Sequence, residues 1–298
     1  MHDVYAYGVI APSTLYVLRD DFPSAAGYAE IVGVYPSMGG EAAGGAYVLA
    51  RLGVATKLDG NRLGADDESA RVLELLSAAG VDCTAITLDP EVSPVIEVVF
   101  ATGDTRTLFG TYGKLNTDRS WNDPAAEDVQ TSRIVCLDPF FGDASRQVAR
   151  WCREAAIPYV TVDVDPESEV ARHAEVLIVS EEFAARTFGT FDPPEILTAY
   201  TGQCRGLVIL THGSNPFWYG RDGEQPKQHT PFSAEVRDTA GAGDSFRAGI
   251  IYGMLQGWSD DRLLTTASAV AALVCERVPG VLNSPTEQEL EAFLSRQP

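Results

Sequence analysis

The chain has 298 residues, of which 45% are hydrophobic and 21% charged, and its formal net charge is −20 at pH 7. This length suits one large α/β domain with a substantial apolar core. A surface this acidic disfavours nucleic acids and anionic membranes, which proteins bind through clusters of Lys and Arg.

No stretch of the sequence approaches the roughly 20 apolar residues of a membrane helix. The first residues, Met1–Tyr5, lack the basic and apolar regions of a secretory signal, which predicts a cytoplasmic protein without a membrane partner. The five cysteines form no CxxC pair and the four histidines show no metal-ligand spacing. We therefore expect reduced thiols, without a disulfide framework or a zinc site.

Two early segments, 12–37 and 92–113, alternate in polarity and carry turn residues, which is typical of antiparallel hairpins inserted into an α/β body. Between them, small residues from Gly39 and Gly40 to Gly45 lead into a helix-like stretch that ends near Leu52. Small side chains at a helix start allow a ligand to approach the backbone closely, and they also suit close helix packing.

Apolar, β-rich runs then alternate with helix-like stretches. The predicted strands are 134–137, 159–162, 176–179 and 207–210, and helices are expected at 144–156 and 181–187. This alternation predicts βαβ units on a mostly parallel sheet. Ligands of such sheets bind at the carboxyl ends of the strands, where Asp163, Ser180 and Thr211 fall.

The most specific signal is the string Asp238-Thr-Ala-Gly-Ala-Gly-Asp-Ser-Phe246. A turn of small residues ends in an acid, Asp244, that opens an apolar, helix-like stretch. The free amides and positive dipole end of a helix N-terminus bind anions such as phosphate. An N-cap alone would explain the acid, but a carboxylate beside an anion site is also suited to removing a proton during phosphoryl transfer.

This string resembles the DTxGAGDxF signature of the PfkB, or ribokinase-like, carbohydrate kinase family. The resemblance implies an ATP-dependent kinase with a three-layer α/β fold, a mostly parallel central sheet and a small β lid. Residues 1–298 would form one domain, and segments 12–37 and 92–113 would form the lid. Asp244 would be the general base, and the amides of Gly241, Ala242 and Gly243 would form an anion hole.

The resemblance extends to the nucleotide side. Thr211 and Gly213 match a TxG turn that contacts ATP, and Ser268 lies in a small-residue helix that would flank the adenine. The loop around Pro279 would hold a monovalent cation, such as K⁺, together with Asp238.

The acceptor side departs from the family pattern. An Asn and an Asp expected after the first strand are replaced by Ala11 and Ser13, and an Asn expected after the Gly-Gly pair is replaced by Gly44. We therefore expect an acceptor other than ribose, because lost hydrogen-bond partners are costly for a polar ligand. The substrate-binding candidates are Ser13, Gly39, Gly40, Gly44 and Arg106, and both Arg106 and Lys114 suit an anionic group.

The metal element departs as well. In the family an NxxE segment orders the hydration shell of Mg²⁺, whereas here Ser180 stands for the Asn and Phe183 for the Glu. The predicted Mg²⁺ ligand is Glu182, with Glu181 as the alternative. Both acids also suit the first turn of a helix for reasons of the dipole alone.

Three functions stay open at this point. The first is a kinase for a hydroxymethyl group of a small sugar or sugar-like molecule, and the second is a nucleoside kinase that stacks a base on Tyr16, Tyr35 or Phe109. The third is a non-catalytic sensor of ligand or ATP on the same scaffold. A homodimer through the lid would cover its sheet edges, and the sequence does not decide it.

Overall fold

A computed structural model describes residues 2–103 and 105–296. Residue 104 of the predicted lid and the outermost residues of the predicted 1–298 domain lie outside the described residues. The strands are β1 (Val4–Gly8), β2 (Ala11–Leu18), β3 (Ile31–Gly39), β4 (Thr56–Gly60), β5 (Leu63–Gly64), β6 (Leu88–Asp89), β7 (Glu97–Thr102), β8 (Thr105–Gly110), β9 (Ile134–Leu137), β10 (Tyr159–Val162), β11 (Val176–Ser180), β12 (Leu207–Thr211), β13 (Phe217–Gly220) and β14 (Lys227–His229).

The helices begin and end close to turn and cap residues. They are α1 (Glu41–Arg51), α2 (Asp67–Ala78), α3 (Gly113–Asp118), α4 (Ala126–Gln130), α5 (Asp143–Ala155), α6 (Glu169–Arg172), α7 (Glu181–Phe188), α8 (Pro193–Thr201), α9 (Ala242–Leu255), α10 (Asp260–Cys275) and α11 (Glu287–Leu294). Short 3₁₀ turns cover Pro139–Phe141 and Val281–Asn283. Asp66, Ser168, Ser180, Asp192 and Thr286 cap their helices by accepting a backbone N–H. Within the described residues, none of these helices has both the length and the apolar character needed to cross a bilayer.

The central sheet has the strand order β14-β13-β12-β11-β10-β9-β1-β4. The six strands from β12 to β4 are parallel, and β13 and β14 add an antiparallel edge. Strands β9 to β12 coincide with the predicted apolar runs, although β11 and β12 each extend one residue further. The predicted α/β class with a mostly parallel sheet is confirmed.

Helices cover both faces of this sheet. Along β1, Val4 and Ala6 face a core shared with α1, α9 and α10, whereas Tyr5 and Tyr7 face a core shared with α5 and α8. Side chains alternate between the faces of a strand, so a strand buried on both sides is apolar throughout. This explains why the strands read as continuous apolar runs in the sequence.

A second sheet, in the order β3-β2-β7-β8, is built from the two predicted hairpin segments. Its hairpins are antiparallel, and they join through β2 and β7, which are parallel. The inner face, carrying Leu15 and Val99, packs against Ala240 and Val278 of the main body. We call it the lid sheet. Its first hairpin begins one residue earlier than the predicted 12–37 segment, at Ala11. It ends two residues later, because β3 continues to Gly39.

The chain order reverses beside β1, which has β4 on one side and β9 on the other. Connections leave such a point in opposite directions, so a crevice opens at the carboxyl ends of the two strands. Val9 follows β1 at this point and Asp138 follows β9. The start of α9 and the inner face of the lid sheet lie at the same edge.

Candidate active site

The predicted anion hole is the first turn of α9. Gly241 precedes the helix with φ of 72°, and a Cβ added there would lie 2.1 Å from Cγ2 of Val281. Only glycine fits this left-handed, crowded position. The amide of Ala242 donates to the carbonyl of Thr239, while the amides of Gly243 and Asp244 donate to no acceptor outside their own helix in the described part of the chain. First-turn amides have no intrahelical acceptor, so these two are free for an anion.

Asp244 lies in this turn and its carboxylate faces α1. A Cβ added to Gly44 would lie 3.0 Å from Oδ2 of Asp244, so glycine at position 44 makes room for the carboxylate. Burial raises the pKa of the Asp244 carboxyl well above its usual range, and the nearby negative charge of Glu41 raises it further. The positive charges of Arg247 and Arg106 offset part of this shift.

Glu41, the first residue of α1, shares the pocket with Asp244. Burial raises the pKa of the Glu41 carboxyl to about 7, and the charge of Asp138 adds to the rise. Two carboxyls that repel one another do not both ionise readily, so the pair titrates together. The negative charge of Glu41 therefore disfavours ionisation of Asp244.

A buried ion pair lies beneath the site. Nη1 of Arg247 donates to Oδ1 of Asp138 over 2.7 Å, and both side chains are 0% exposed. Oδ2 of Asp138 accepts the amides of Val9 and Ala42 over 2.8 and 3.0 Å. Asp138 thus joins the ends of β1 and β9 to the starts of α1 and α9. Sequence reasoning missed both partners of this pair.

The lid sheet contributes a second polar group. Oε1 of Glu97 accepts the hydroxyl of Ser13 over 2.8 Å, and its Oε2 accepts the hydroxyl of Tyr112 in a short hydrogen bond. A Cβ added to Gly39 would lie 2.4 Å from Oε1 of Glu97, so this glycine leaves space for the carboxylate. Gly40, with φ of 92°, would clash with the carbonyl of Val9 if it carried a Cβ. The sequence prediction included Ser13, Gly39 and Gly40 but missed Glu97.

Arg106 connects the lid sheet to the motif. Its Nη1 donates to the carbonyl of Thr239 over 3.3 Å, and the residue as a whole is exposed. Arg106 lies opposite Ala101 in the β7–β8 register, on the inner face. An exposed guanidinium at the mouth of the site is suited to an anionic group of a substrate.

The strand register corrects part of the aromatic prediction. Tyr16 lies opposite Val34 and Phe109 lies opposite Val98, on the outer face of the lid sheet. Tyr16 stacks on Phe100 at a ring distance of 5.3 Å. Tyr35, opposite the buried Leu15, is on the inner face. Residues directly opposite one another share a face, so of the three aromatic candidates Tyr35 is directed toward the cleft.

The predicted nucleotide residues lie at or near the carboxyl edge of β12. The hydroxyl of Thr211 donates to the carbonyl of Val179 over 3.4 Å, and Gly213 has φ of 55° and would place an added Cβ more than 4 Å from any atom beyond its chain neighbours. Ser268 of α10 is 3% exposed, and its hydroxyl accepts the amide of Phe232. That hydroxyl is already engaged, so Ser268 serves the packing of α10, and its predicted ATP contact stays a prediction.

The predicted metal residues lie in two places. Glu182 is exposed in the first turn of α7. Burial raises the pKa of the Asp163 carboxyl, and the negative charge of nearby Glu182 raises it further. The Asp163 carboxylate itself accepts the amide and hydroxyl of Ser180. Asp238 is buried, and its oxygens accept the amides of Ala240 and Gly280 over 2.9 Å each. No group of three or more His, Cys, Asp or Glu within residues 2–103 and 105–296 is arranged to hold a metal ion alone.

Comparison with known proteins decides the family. The model of the pfkB family carbohydrate kinases matches residues 19–287. The chain belongs to this family. An ATP-dependent ribose-1-phosphate kinase from Halopiger xanaduensis is 30% identical over 297 residues, covering 93% of both chains. This PfkB-family chain is therefore a phosphotransferase, a kinase of the class that acts on sugars or nucleosides.

Solved structures share the same fold. Arabidopsis thaliana ribokinase, complexed with ribose and ATP, superposes with a TM-score of 0.80 at 21% identity and covers 99% of both chains. A nucleoside kinase from Methanocaldococcus jannaschii superposes with a TM-score of 0.79 at 19% identity, covering 100% of this chain and 99% of its own. The predicted ribokinase-like fold is confirmed.

Proposed function

We propose that this protein transfers the γ-phosphoryl group of ATP to a hydroxymethyl group of a small phosphorylated sugar. The observation that carries the proposal is the position of Asp244. Its carboxylate lies in the same helix turn as the free amides of Gly243 and Asp244, and Gly44 leaves space beside it. A base next to an anion hole is the arrangement that phosphoryl transfer to an alcohol requires.

In this mechanism Asp244 accepts the proton of the acceptor hydroxyl as the oxygen attacks the γ-phosphorus. The bond between the γ-phosphorus and the bridging oxygen of ADP breaks, and ADP leaves. The amides at the start of α9 and the dipole of that helix stabilise the negative charge of the transferring group. Burial and Glu41 raise the pKa of the Asp244 carboxyl, which makes it a stronger base than an exposed aspartate. Arg247 keeps it ionisable by supplying a fixed positive charge below the site.

ATP would bind across Thr211 and Gly213, at the carboxyl end of β12, where Gly213 has no side chain to block its approach. Mg²⁺ bound to ATP keeps several water ligands and takes one or two carboxylates. Glu182 fits this requirement, because it is exposed and beside Asp163. Mg²⁺ held there would neutralise charge on the phosphates. Asp238 would take part in a K⁺ site only through oxygen lone pairs that its two amide contacts leave free.

The acceptor proposal rests on charge. Ala11 and Gly44 provide no hydrogen-bonding side chain to a sugar, whereas Arg106 presents a guanidinium at the mouth of the site. Glu97 in turn offers a carboxylate for a sugar hydroxyl. The Halopiger relative is named for ribose 1-phosphate, a pentose with a free hydroxymethyl group and a phosphate. We propose the same class of acceptor here.

A nucleoside acceptor is the second candidate, and Tyr35 is the observation that favours it. Tyr35 is on the inner face of the lid sheet and is 37% exposed, so a flat base can stack on its ring.

The exposed outer face of the lid sheet favours pairing with a second copy of the chain, because Val34 and Phe109 are 55% and 52% exposed. We find no observation that favours a non-catalytic sensor.

The proposal is tested by measuring ADP formation from ATP with a panel of acceptors. The panel contains ribose 1-phosphate, ribose 5-phosphate, ribose, fructose and inosine, each with and without K⁺ in buffer containing Mg²⁺. We expect the highest kcat/KM for the phosphorylated pentose that has a free hydroxymethyl group. A higher kcat/KM for inosine would support the nucleoside candidate, and no ADP above background with any acceptor would contradict a kinase for this class.

A further inference from the structure

A cavity of about 720 Å³ lies at the edge of the central sheet opposite the active site. We call it the basal cavity. Its walls are the residues at the starts of β9, β10, β11 and β12, together with the ends of α5 and α9 and the start of α10. The volume falls within the range of about 300–1,000 Å³ that small-molecule sites occupy. The carboxyl ends of the same strands form the active site, so the two sites are separate.

The charge of the basal cavity is opposite to that of the protein. The chain has 42 acidic and 22 basic residues apart from histidine. The cavity is lined by four arginines, Arg133, Arg153, Arg205 and Arg221, together with His173, and by two acids, Glu175 and Asp260. A basic cavity in so acidic a protein attracts anions locally, because the nearest charges dominate when salt screens the distant ones.

The two acids of the cavity are both occupied by one arginine. Nε and Nη2 of Arg221 donate to Asp260 over 2.9 and 3.0 Å, and Nη1 lies 3.9 Å from Glu175. Arg133 is engaged by the carboxylate of Asp3 and the carbonyl of Leu255. The remaining arginines of the cavity therefore have no acid of the cavity to neutralise them.

Arg153 and Arg205 are these remaining arginines. Within the described residues, Arg153 forms one ion pair, with Glu169 at 3.8 Å, and Arg205 is exposed and forms none. Their positive charges reach His173, whose pKa is lowered by burial and then by both arginines. Arg153 and Arg205 thus supply two positive charges beside the ring of His173, and we call these three residues the basal cluster.

Apolar side chains line the opposite wall. Met254, Leu255 and Leu263 come from α9 and α10, and Trp258 from the turn between them. Ile157 and Pro158 extend this surface toward β10. A ligand with a charged end and a ring or sugar body would match both walls.

We propose that the basal cavity binds a phosphomonoester with a sugar or nucleoside body. Its phosphate would accept hydrogen bonds from the guanidinium groups of Arg153 and Arg205 and from the ring of His173. Its body would pack against Leu255 and Trp258. Arginine is well suited to this contact, because its planar fork matches two phosphate oxygens.

The test is calorimetric titration of the full chain with AMP, ribose 5-phosphate, inorganic phosphate and adenosine. The variants are Arg153→Met, Arg205→Met and their combination. Arg71→Met on the exposed face of α2 is the matched control for loss of charge. Arg106→Met distinguishes phosphate binding at the mouth of the active site from binding in the basal cavity. Thermal unfolding checks that each variant folds.

We expect AMP or ribose 5-phosphate to bind wild type, Arg71→Met and Arg106→Met at a common site. Each basal arginine variant should weaken this site about tenfold, as expected for loss of one charge-assisted hydrogen bond. Inorganic phosphate should show the same dependence with lower affinity, and adenosine should not use the site. Equal binding of all phosphates by wild type and the double variant would overturn the proposal. This titration does not depend on the kinase reaction. Failure of the proposed binding site and failure of the proposed kinase function can therefore be told apart.

Discussion

The buried pair of Asp138 and Arg247 gives the sharpest stability prediction. Arg247→Met removes the guanidinium and keeps most of the apolar stem, which leaves the carboxylate of Asp138 buried with two amide donors. Both side chains are 0% exposed. Breaking such a pair by removing one partner costs about 3–5 kcal/mol, because the remaining charge stays uncompensated.

The second half of the cycle is Asp138→Asn. An asparagine oxygen in the place of Oδ2 still accepts the amides of Val9 and Ala42, while its NH2 group faces Nη1 of Arg247. The change therefore removes both the charge and the hydrogen bond of the pair. In the double variant neither charge remains, and two guanidinium nitrogens disappear that have no partner in the described residues, Nε and Nη2. We therefore expect the double variant to be no less stable than Arg247→Met alone, with a coupling energy of about 2 kcal/mol or more.

The assay is urea denaturation followed by fluorescence and circular dichroism, at low and high salt. Arg19→Met is the matched control, because Arg19 pairs with Glu30 on the surface and the two are 58% and 46% exposed. That pair should contribute less than about 1 kcal/mol and weaken with salt, whereas the loss in Arg247→Met should not. Single losses that add within about 0.5 kcal/mol in the double variant would refute a coupled buried pair.

Three further predictions concern activity. Because the pKa of the Asp244 carboxyl is raised, kcat/KM should fall with decreasing pH, and this fall should begin at a higher pH than an exposed aspartate would give. Glu41→Gln should move this limb of the pH profile to lower pH, and an unchanged profile would show that Glu41 does not act on the base. Gly44→Ala should lower kcat about tenfold or more, because its Cβ would lie 3.0 Å from Oδ2 of Asp244. Gly45→Ala on the same helix is the control and should keep the wild-type kcat, because its Cβ would lie no closer than 3.7 Å to another residue; equal kcat values for the two variants would contradict a close contact between Gly44 and Asp244. Glu97→Gln should raise KM for the acceptor at least several-fold and leave KM for ATP unchanged, as steady-state kinetics with each substrate varied would show; an equal rise in both would remove Glu97 from the acceptor site.

The sequence predicts the part of the site that one continuous segment builds. Gly241 to Asp244 are adjacent in the chain, and their residue types report a turn, a helix start and an acid without any tertiary information. The buried strands were equally readable, because a strand covered on both faces is apolar throughout. These features depend on local residue choice, so they could be predicted.

The missed residues depend on distant contacts. Asp138 and Arg247 are 109 positions apart, and the fold alone brings them together. Each carried a weaker signal, since Asp138 follows a buried strand at the switch point and Arg247 is the one basic residue of an apolar helix. A charge in such a place requires a partner. Glu97 is similar, because it takes an inward position on β7 beside Val99.

The faces of the lid sheet could not be predicted without its register. Tyr16, Tyr35 and Phe109 are all aromatic residues of strands, and a shift of one residue moves a side chain to the other face. The pairing of Leu15 with Tyr35 directs Tyr35 inward, and the pairing of Tyr16 with Val34 directs Tyr16 outward. This information is in the pairing of strands and is absent from the composition of each one.

The role of Asp244 is tested most directly by Asp244→Asn in a single-turnover measurement of phosphoryl transfer from ATP, with ATP binding measured in parallel. The variant keeps the size of the side chain and loses the base, so we predict a loss of transfer of about 10²–10⁴-fold with ATP affinity nearly unchanged. Asp192→Asn is the matched control, because Asp192 is an exposed N-cap and asparagine caps equally well. Transfer by Asp244→Asn at the rate of wild type and of this control would contradict the assignment of Asp244 as the base.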